Sequence, residues 1–91
     1  MAIVTDNPAR QRFELDVAQG GAFIDYRRDG RILTLTHAEV PAALRGRGLG
    51  AALVKGTLDL VRRRGEKVVP RCSFVAAYFR RHPESQDLLA G

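Results

Sequence analysis

Residues 45–50 place three glycines and two arginines between an extended run and a helical pattern. At such a turn, the unpaired N–H groups at the start of the helix converge on one point, and the helix dipole adds partial positive charge. Glycines let an anion approach the backbone because they lack Cβ atoms, and the arginines add full positive charges. The residue types and their spacing therefore predict a binding site for a phosphate-bearing ligand.

Two well-known nucleotide-binding turns do not fit this segment. A Walker-type P-loop requires a lysine followed by serine or threonine after the last glycine, and Leu49 and Ala51 have the wrong chemistry. A dinucleotide-binding turn has the spacing G-x-G-x-x-G, which Gly46, Gly48 and Gly50 do not follow, and it requires an acidic residue at the end of the next strand. The glycines equally suit a tight turn that only packs, so the residues alone leave binding and packing open.

Composition limits the alternatives further. The chain has 91 residues, a net charge of +5 and one cysteine, Cys72. This length forms one domain, the single cysteine excludes an internal disulfide and a multi-cysteine metal site, and no apolar run approaches the roughly 20 residues of a membrane span. We expect a soluble, cytoplasmic protein with no metal and no membrane partner. The positive charge suggests nucleic acid or a phosphate-rich cofactor as a partner, or serves solubility alone.

Three strands are predicted before the glycine-rich turn. Apolar and polar residues alternate over residues 13–17 and again over residues 22–27, and a longer run with β-branched residues covers about residues 31–40. Gly20-Gly21 separates the first two strands, and Asp29-Gly30 suits a tight hairpin between the second and the third. These strands should form an antiparallel meander. Residues 1–11 show no periodicity, so we expect a flexible N-terminal lead-in there and a single domain over residues 12–91.

A helix, a strand and a second helix should follow the turn. Apolar residues recur at helical spacing over residues 49–61, and Gly65 suits a helix end. Residues 67–70 read as a strand, and a right-handed crossover makes this strand parallel to the third one. A short helix over about residues 73–81 ends before Pro83. The predicted fold class is therefore α/β in an α+β arrangement.

Two motifs resemble those of a known family. The first is Val40-Pro41 followed by R-x-x-G-x-G at residues 45–50, which is similar to the acetyl-CoA signature of the GNAT superfamily of N-acetyltransferases. The second is PRCSFV at residues 70–75, followed by Tyr78 and by HPE at residues 82–84, which resembles a subgroup of minimal, stand-alone GNAT-like proteins. His37 belongs to the same pattern. Together the motifs cover about residues 13–88.

The resemblance implies a compact GNAT-like fold in which the third and fourth strands separate in a V. It also implies acetyl-CoA as the cofactor, with the pyrophosphate on backbone amides and the pantetheine arm beside the backbone of Glu39 and Val40. Longer family members have two helices between their first strands, which are missing here, so the acceptor side should be open. The expected cofactor-binding residues are Val40, Pro41, Arg45, Gly46, Arg47, Gly48, Leu49, Gly50, Ala51 and Arg81.

The same resemblance implies acetyl transfer to an amine acceptor, a protein or a small molecule, and offers four candidate catalytic groups. Cys72 could carry the acetyl group as an acyl relay, or simply fill apolar space. His37 and Glu39 are candidates for the base, because histidine takes up a proton near neutral pH. Both share strand parity with the leucines that precede them, unless a bulge intervenes. Tyr78 is the candidate for the acid that protonates the departing thiolate, or it is a core aromatic.

Two alternatives from other classes stay open. One is a coenzyme A-binding protein without transferase activity, and the other is a small basic module that binds RNA or DNA through its arginines. Nucleic acid is the less favoured partner, because aromatic residues are few and Phe13, Phe23 and Phe74 occupy positions typical of a core rather than of a stacking platform. We expect a monomer or a weak dimer.

Overall fold

The computed structural model describes residues 3–15, 20–42 and 48–90, which form a five-stranded sheet with helices on one face. The elements are β1 (Val4–Asn7), β2 (Arg12–Leu15), β3 (Ala22–Asp29), β4 (Ile32–Glu39), α1 (Leu49–Arg63), β5 (Lys67–Pro70), α2 (Ser73–Arg81) and a final 3₁₀ helix (Pro83–Leu88). The strands keep their sequence order across the sheet, and all neighbours are antiparallel except β4 and β5, which are parallel. The predicted meander, crossover helix and parallel strand are thus confirmed.

β1 lies in the segment for which the sequence predicted only a flexible lead-in. Residues 4–7 instead form a strand that pairs antiparallel with β2. Val4 packs into the core, and Asp6 accepts a hydrogen bond from the Tyr26 hydroxyl at 2.7 Å and pairs with Arg64 at 2.8 Å. A strand this short, with one buried side chain, shows no alternation that could distinguish it from a loop.

The core lies between one face of the sheet and the helices. α1 presents an apolar stripe to alternate residues of the strands, and α2 adds its buried face to the same cluster. Among the described residues, no helix covers the opposite face of the sheet, which agrees with the short connection between the first strands in the sequence. The buried residues of the two helices are Leu53, Val54, Thr57, Leu58, Val61, Val75 and Phe79.

A β-bulge interrupts the alternation of β4. Tyr26 of β3 pairs with Leu35, and the preceding residue Asp25 pairs with His37, so Thr36 is the extra residue. The leucines before the bulge point into the core, whereas His37 after it is exposed. Simple strand parity therefore does not hold across this position.

After the bulge, successive residues at the end of β4 point to opposite faces of the sheet. Ala38 and Val40 pack against the core on the helix side. His37 and Glu39 are exposed on the opposite, open face of the sheet, where the ring of Phe23 lies 6.3 Å from the imidazole.

β4 also extends beyond its parallel neighbour. The last pair between them joins Leu35 to Pro70, and the N–H groups of Arg71 and Cys72 both donate to the Leu35 carbonyl at 3.0 Å. The chain then turns into α2, so within the described part of the sheet the remainder of β4 has no neighbouring strand on the β5 side. The pairing of the two strands thus ends at the place where the resemblance implied a V-shaped separation.

No helix in the described ranges is long and apolar enough to cross a membrane. The same residues contain no group of histidine, cysteine and acidic side chains arranged to hold a metal ion.

A candidate cofactor groove

A groove of about 480 Å³ lies where the end of β4 meets the first turn of α1 and one face of α2. We call it the main groove. Among the described residues, small and apolar side chains form most of its wall, and the charged residues are Glu39 and Arg81. Its lining residues are Ala38, Glu39, Val40, Gly48, Leu49, Gly50, Ala51, Phe74 and Arg81. Most of the described residues that the sequence assigned to a cofactor therefore come together in one place.

The first turn of α1 opens into the main groove. Gly48 precedes the helix with φ 71° and ψ 13°, a left-handed conformation that favours glycine. The first intrahelical hydrogen bond within the described residues runs from the Ala52 N–H to the Gly48 carbonyl at 3.1 Å. In the described part of the chain, no side chain caps this end, and no acidic residue lies in the first turn. The positive end of the helix dipole therefore lies at the groove.

Three of the predicted phosphate-binding residues, Arg45, Gly46 and Arg47, lie outside the described residues, so their assignment stays a prediction. Pro41 is described and half-buried, next to the lining residue Val40, but it does not itself line the groove.

Arg81 lines the main groove from the last turn of α2. Its side chain is exposed and forms no ion pair with any residue in the described ranges. By contrast, Arg62 pairs with Asp87 in a two-pronged contact of 2.6 and 3.0 Å. The free guanidinium of Arg81 is therefore available to an anionic ligand in the groove.

Phe74 is a groove residue that the sequence analysis placed in the core. Its side chain is 44% exposed, whereas Phe13 is fully buried. Phe23 is half-buried on the open face of the sheet, with the Arg12 guanidinium 4.2 Å from its ring centroid. The signal that could have found Phe74 is its spacing of seven residues from Arg81, about two helical turns, which puts both on one face of α2.

His37 and Glu39 form a hydrogen-bonded pair. His37 Nε2 lies 2.9 Å from a carboxylate oxygen of Glu39, and both side chains are exposed. Glu39 is one of the residues that line the main groove, while its carboxylate bonds His37 on the open face, so the residue lies at the boundary between the two. The pair therefore connects the groove to the face of the sheet that no described helix covers.

A family model described as GCN5-related N-acetyl-transferase matches residues 12–88, most of the chain. The chain belongs to this family.

Individual relatives agree with this membership. The chain is 37% identical over 84 residues to Protein NATD1 of Mus musculus, a match that covers 87% of this chain and 76% of the mouse protein. The human NATD1 protein is 40% identical over 58 residues, or 64% of this chain and 51% of that protein. The solution structure of a GCN5-like protein from Staphylococcus aureus superimposes with a TM-score of 0.73 and 25% identity, covering 97% of this chain and 87% of the other.

Cys72 lies where this GCN5-related fold separates its two parallel strands. It is the residue before α2, it is half-buried, and its N–H donates to the Leu35 carbonyl at 3.0 Å. Its position is two residues before Phe74, close to the main groove, although it does not line it. Its side chain packs against the hydrophobic core, so both the acyl relay and the apolar filler stay open as roles for Cys72.

Tyr78 lies away from the main groove. Its ring stacks on His82 with centroids 3.9 Å apart, and it lines a second cavity of about 220 Å³ with residues of α1 and the 3₁₀ helix. Burial, followed by the negative charge of Glu84, raises the pKa of Tyr78 above its usual value. The geometry does not bring this hydroxyl to the groove and so gives no support to the acid role predicted for it.

Proposed function

We propose that this chain binds acetyl-coenzyme A in the main groove and transfers its acetyl group to an amine acceptor. The observation that carries the proposal is that the first turn of α1, which has no side-chain cap among the described residues, lines the same groove as Arg81, which has no ion-pair partner among them. The cofactor supplies the acetyl group as an activated thioester. Membership of the GCN5-related family agrees with this chemistry.

The residues of the groove fit the two chemical halves of this cofactor. A Cβ atom built on Gly48 would meet no atom of the described residues within 4 Å, so this part of the molecule leaves room for a phosphate at the start of α1. Arg81 adds a full positive charge to the same groove. Ala38 and Val40 provide an apolar strand end along which the pantetheine arm would lie. An anion-binding subsite thus adjoins an apolar subsite, which matches the phosphates and the pantetheine arm of coenzyme A.

Glu39 and His37 are the groups proposed to move protons. An amine that arrives protonated gives one proton to this pair before it attacks. The nitrogen then forms a bond to the carbonyl carbon as the carbon–sulfur bond breaks, and the second proton on nitrogen reaches the departing sulfur through water. Because Glu39 lines the groove and His37 faces the open side, the proton can pass to solvent without crossing the cofactor site.

Cys72 provides a second route for the acetyl group. In this route the thiolate of Cys72 would bond to the acetyl carbon as the carbon–sulfur bond of the donor breaks and coenzyme A leaves as its thiolate. The amine would then displace Cys72 as a thiolate from the resulting thioester, and the proton lost by the nitrogen would return to that sulfur. Incubation with acetyl-CoA alone should give a mass increase of one acetyl group that is absent from Cys72→Ala. If Cys72→Ala transfers acetyl at the wild-type rate, the relay is wrong and the amine attacks the cofactor directly.

Binding is tested by calorimetric titration of coenzyme A into the wild type, Gly48→Ala and Gly30→Ala. Both glycines have positive φ and open space around the missing Cβ, so alanine strains the two backbones similarly. Only Gly48 adjoins the main groove, and Gly30 lies in the hairpin between β3 and β4. We expect Gly48→Ala to weaken binding at least about tenfold, about 1.4 kcal/mol, and Gly30→Ala to leave it unchanged.

Failure of the folded wild type to bind coenzyme A would refute the proposal. Turnover is measured with a lysine-containing peptide and with spermidine as acceptors, by the release of free coenzyme A thiol. Binding without any acetylated product would favour the alternative of a coenzyme A-binding protein that lacks transferase activity.

A further inference from the structure

Phe74 meets α1 end-on. A Cβ atom built on Gly50 would lie 2.6 Å from Phe74 Cζ and 3.4 Å from both Cε atoms, so the tip of the ring points directly at the glycine. Such a contact is closer than real side chains allow, which means that the ring holds this position only because residue 50 has no side chain. Gly50 and Phe74 are therefore one packing unit.

The end-on contact leaves the faces of the ring available. Phe74 is 44% exposed. Among the described residues, only a few large apolar side chains are exposed to this degree. The others, Ile3 and Ile32, do not line the main groove, whereas Phe74 forms part of its wall. An exposed aromatic ring inside a groove is a surface that a ligand can cover.

The ring shares the wall of the main groove with two regions of different character. One is the first turn of α1, which the tip of the ring approaches at Gly50. The other is the apolar end of β4 at Ala38 and Val40. A ligand that fills the groove from the helix end to the strand end therefore shares it with the ring, and the part beside the ring meets mainly carbon atoms.

We infer that Gly50 and Phe74 together form the element that recognises the arm of the cofactor rather than its nucleotide. The inference rests on the proposed function, since it concerns the same groove. Phe74 supplies the apolar wall against which the chain between the phosphates and the thioester packs. Gly50 serves to seat this ring, and close approach of a phosphate is the task of Gly48, where the missing Cβ faces open space.

The size of the effect follows from the exposed area. A phenylalanine presents about 200 Å² in all, so 44% exposure leaves on the order of 90 Å² to be covered. At roughly 25 cal/mol per Å², full coverage would correspond to about a fortyfold gain in affinity, and partial coverage to about tenfold. A nucleotide without the arm gains nothing from this surface.

The test compares two ligands, coenzyme A and adenosine 3′,5′-bisphosphate, by calorimetric titration. Phe74→Ala should weaken the binding of coenzyme A about tenfold and leave that of the bisphosphate within twofold. Phe74→Leu, which keeps an apolar side chain, should fall between the wild type and alanine. Ile32→Ala is the matched control, because Ile32 is 43% exposed at the far end of β4. This control should bind both ligands as the wild type does.

Gly50→Ala separates the two roles of the glycine. If the glycine seats the ring, the substitution weakens coenzyme A alone, and the double variant Gly50→Ala/Phe74→Ala binds no worse than Phe74→Ala. If it serves the phosphates, Gly50→Ala weakens both ligands, its effect adds to that of Phe74→Ala, and the inference is overturned. Equal affinity of wild type and Phe74→Ala for coenzyme A would also overturn it. Absence of coenzyme A binding in the wild type would instead refute the proposed function.

Discussion

Replacement of Gly56 by alanine tests how firmly β1 is attached to the rest of the molecule. Gly56 lies in the middle of α1, and a Cβ atom there would come within 2.8 Å of the Cβ atom of Val4 and closer still to one of its methyl groups. A methyl group can rotate away, but a Cβ atom cannot. The strand must therefore shift, or leave the helix.

The magnitude is a balance of opposing terms. In an exposed helix, glycine to alanine stabilises by about 1 kcal/mol. Against this, detachment of β1 returns Val4 to water at a cost of about 1.5–3 kcal/mol and loses the hydrogen bond from Tyr26 to Asp6, about 1 kcal/mol. We expect a net destabilisation of about 1.5–3 kcal/mol, or a fall in Tm of roughly 6–24 °C.

The assay is urea unfolding followed by circular dichroism, for Gly56→Ala, Val4→Ala and the double variant. Val4→Ala keeps the Cβ atom and hence the clash, but it already gives up the apolar contact that is lost when the strand shifts. The second substitution should therefore cost less in that background, with a coupling energy of at least about 1 kcal/mol. An increase in stability for Gly56→Ala alone would show that β1 does not pack on α1. The segment would then be the flexible lead-in that the sequence suggested.

Three further outcomes follow from the site. Glu39→Gln removes the carboxylate that is hydrogen-bonded to His37 at the edge of the groove, so kcat for acetyl transfer should fall at least about tenfold while the affinity for coenzyme A stays unchanged. Tyr78→Phe should retain acetyl transfer within twofold, because the hydroxyl lies outside the groove; a hundredfold loss would restore its acid role. The hydrogen bond from Arg62 lowers the pKa of Asp87 below its ordinary value of 3.8. The stability from this pair is thus present above that pH and is lost as the pH falls toward the depressed value. Acid titration of unfolding should show a shallower decline for Asp87→Asn, and identical profiles would refute the assignment.

The sequence predicts those parts of the fold whose residues repeat with a clear period. The buried stripe of α1 and the alternation in β3 are long enough to show periods of 3.6 and 2, and Asp29-Gly30 marks the hairpin between β3 and β4. β1 has no such signal, because its position depends on partners far along the chain, Gly56 in α1 and Arg64 after it. Tertiary contacts of this kind leave no local pattern.

The sequence predicts those site residues whose role depends on a backbone conformation. It predicts less well those whose role depends on the direction in which the side chain points. Gly48 needs a left-handed turn at the start of a helix, and the sequence carries that requirement in the residue type itself. Phe74 and Tyr78 are both aromatic residues of α2, and only the packing of the helix shows that one enters the groove and the other stacks on His82. Likewise, nothing in the residue type of Thr36 marks it as the extra residue of a bulge.

The single extra residue at Thr36 has a consequence for the order in which substrates meet. It turns alternate residues of one strand toward different entrances, Val40 to the groove among the helices and His37 to the uncovered side of the sheet. A donor and an acceptor that arrive from these two directions do not compete for the same binding surface. We therefore expect either one to be able to bind first, and even an acceptor as bulky as a folded polypeptide to approach a protein that is already loaded.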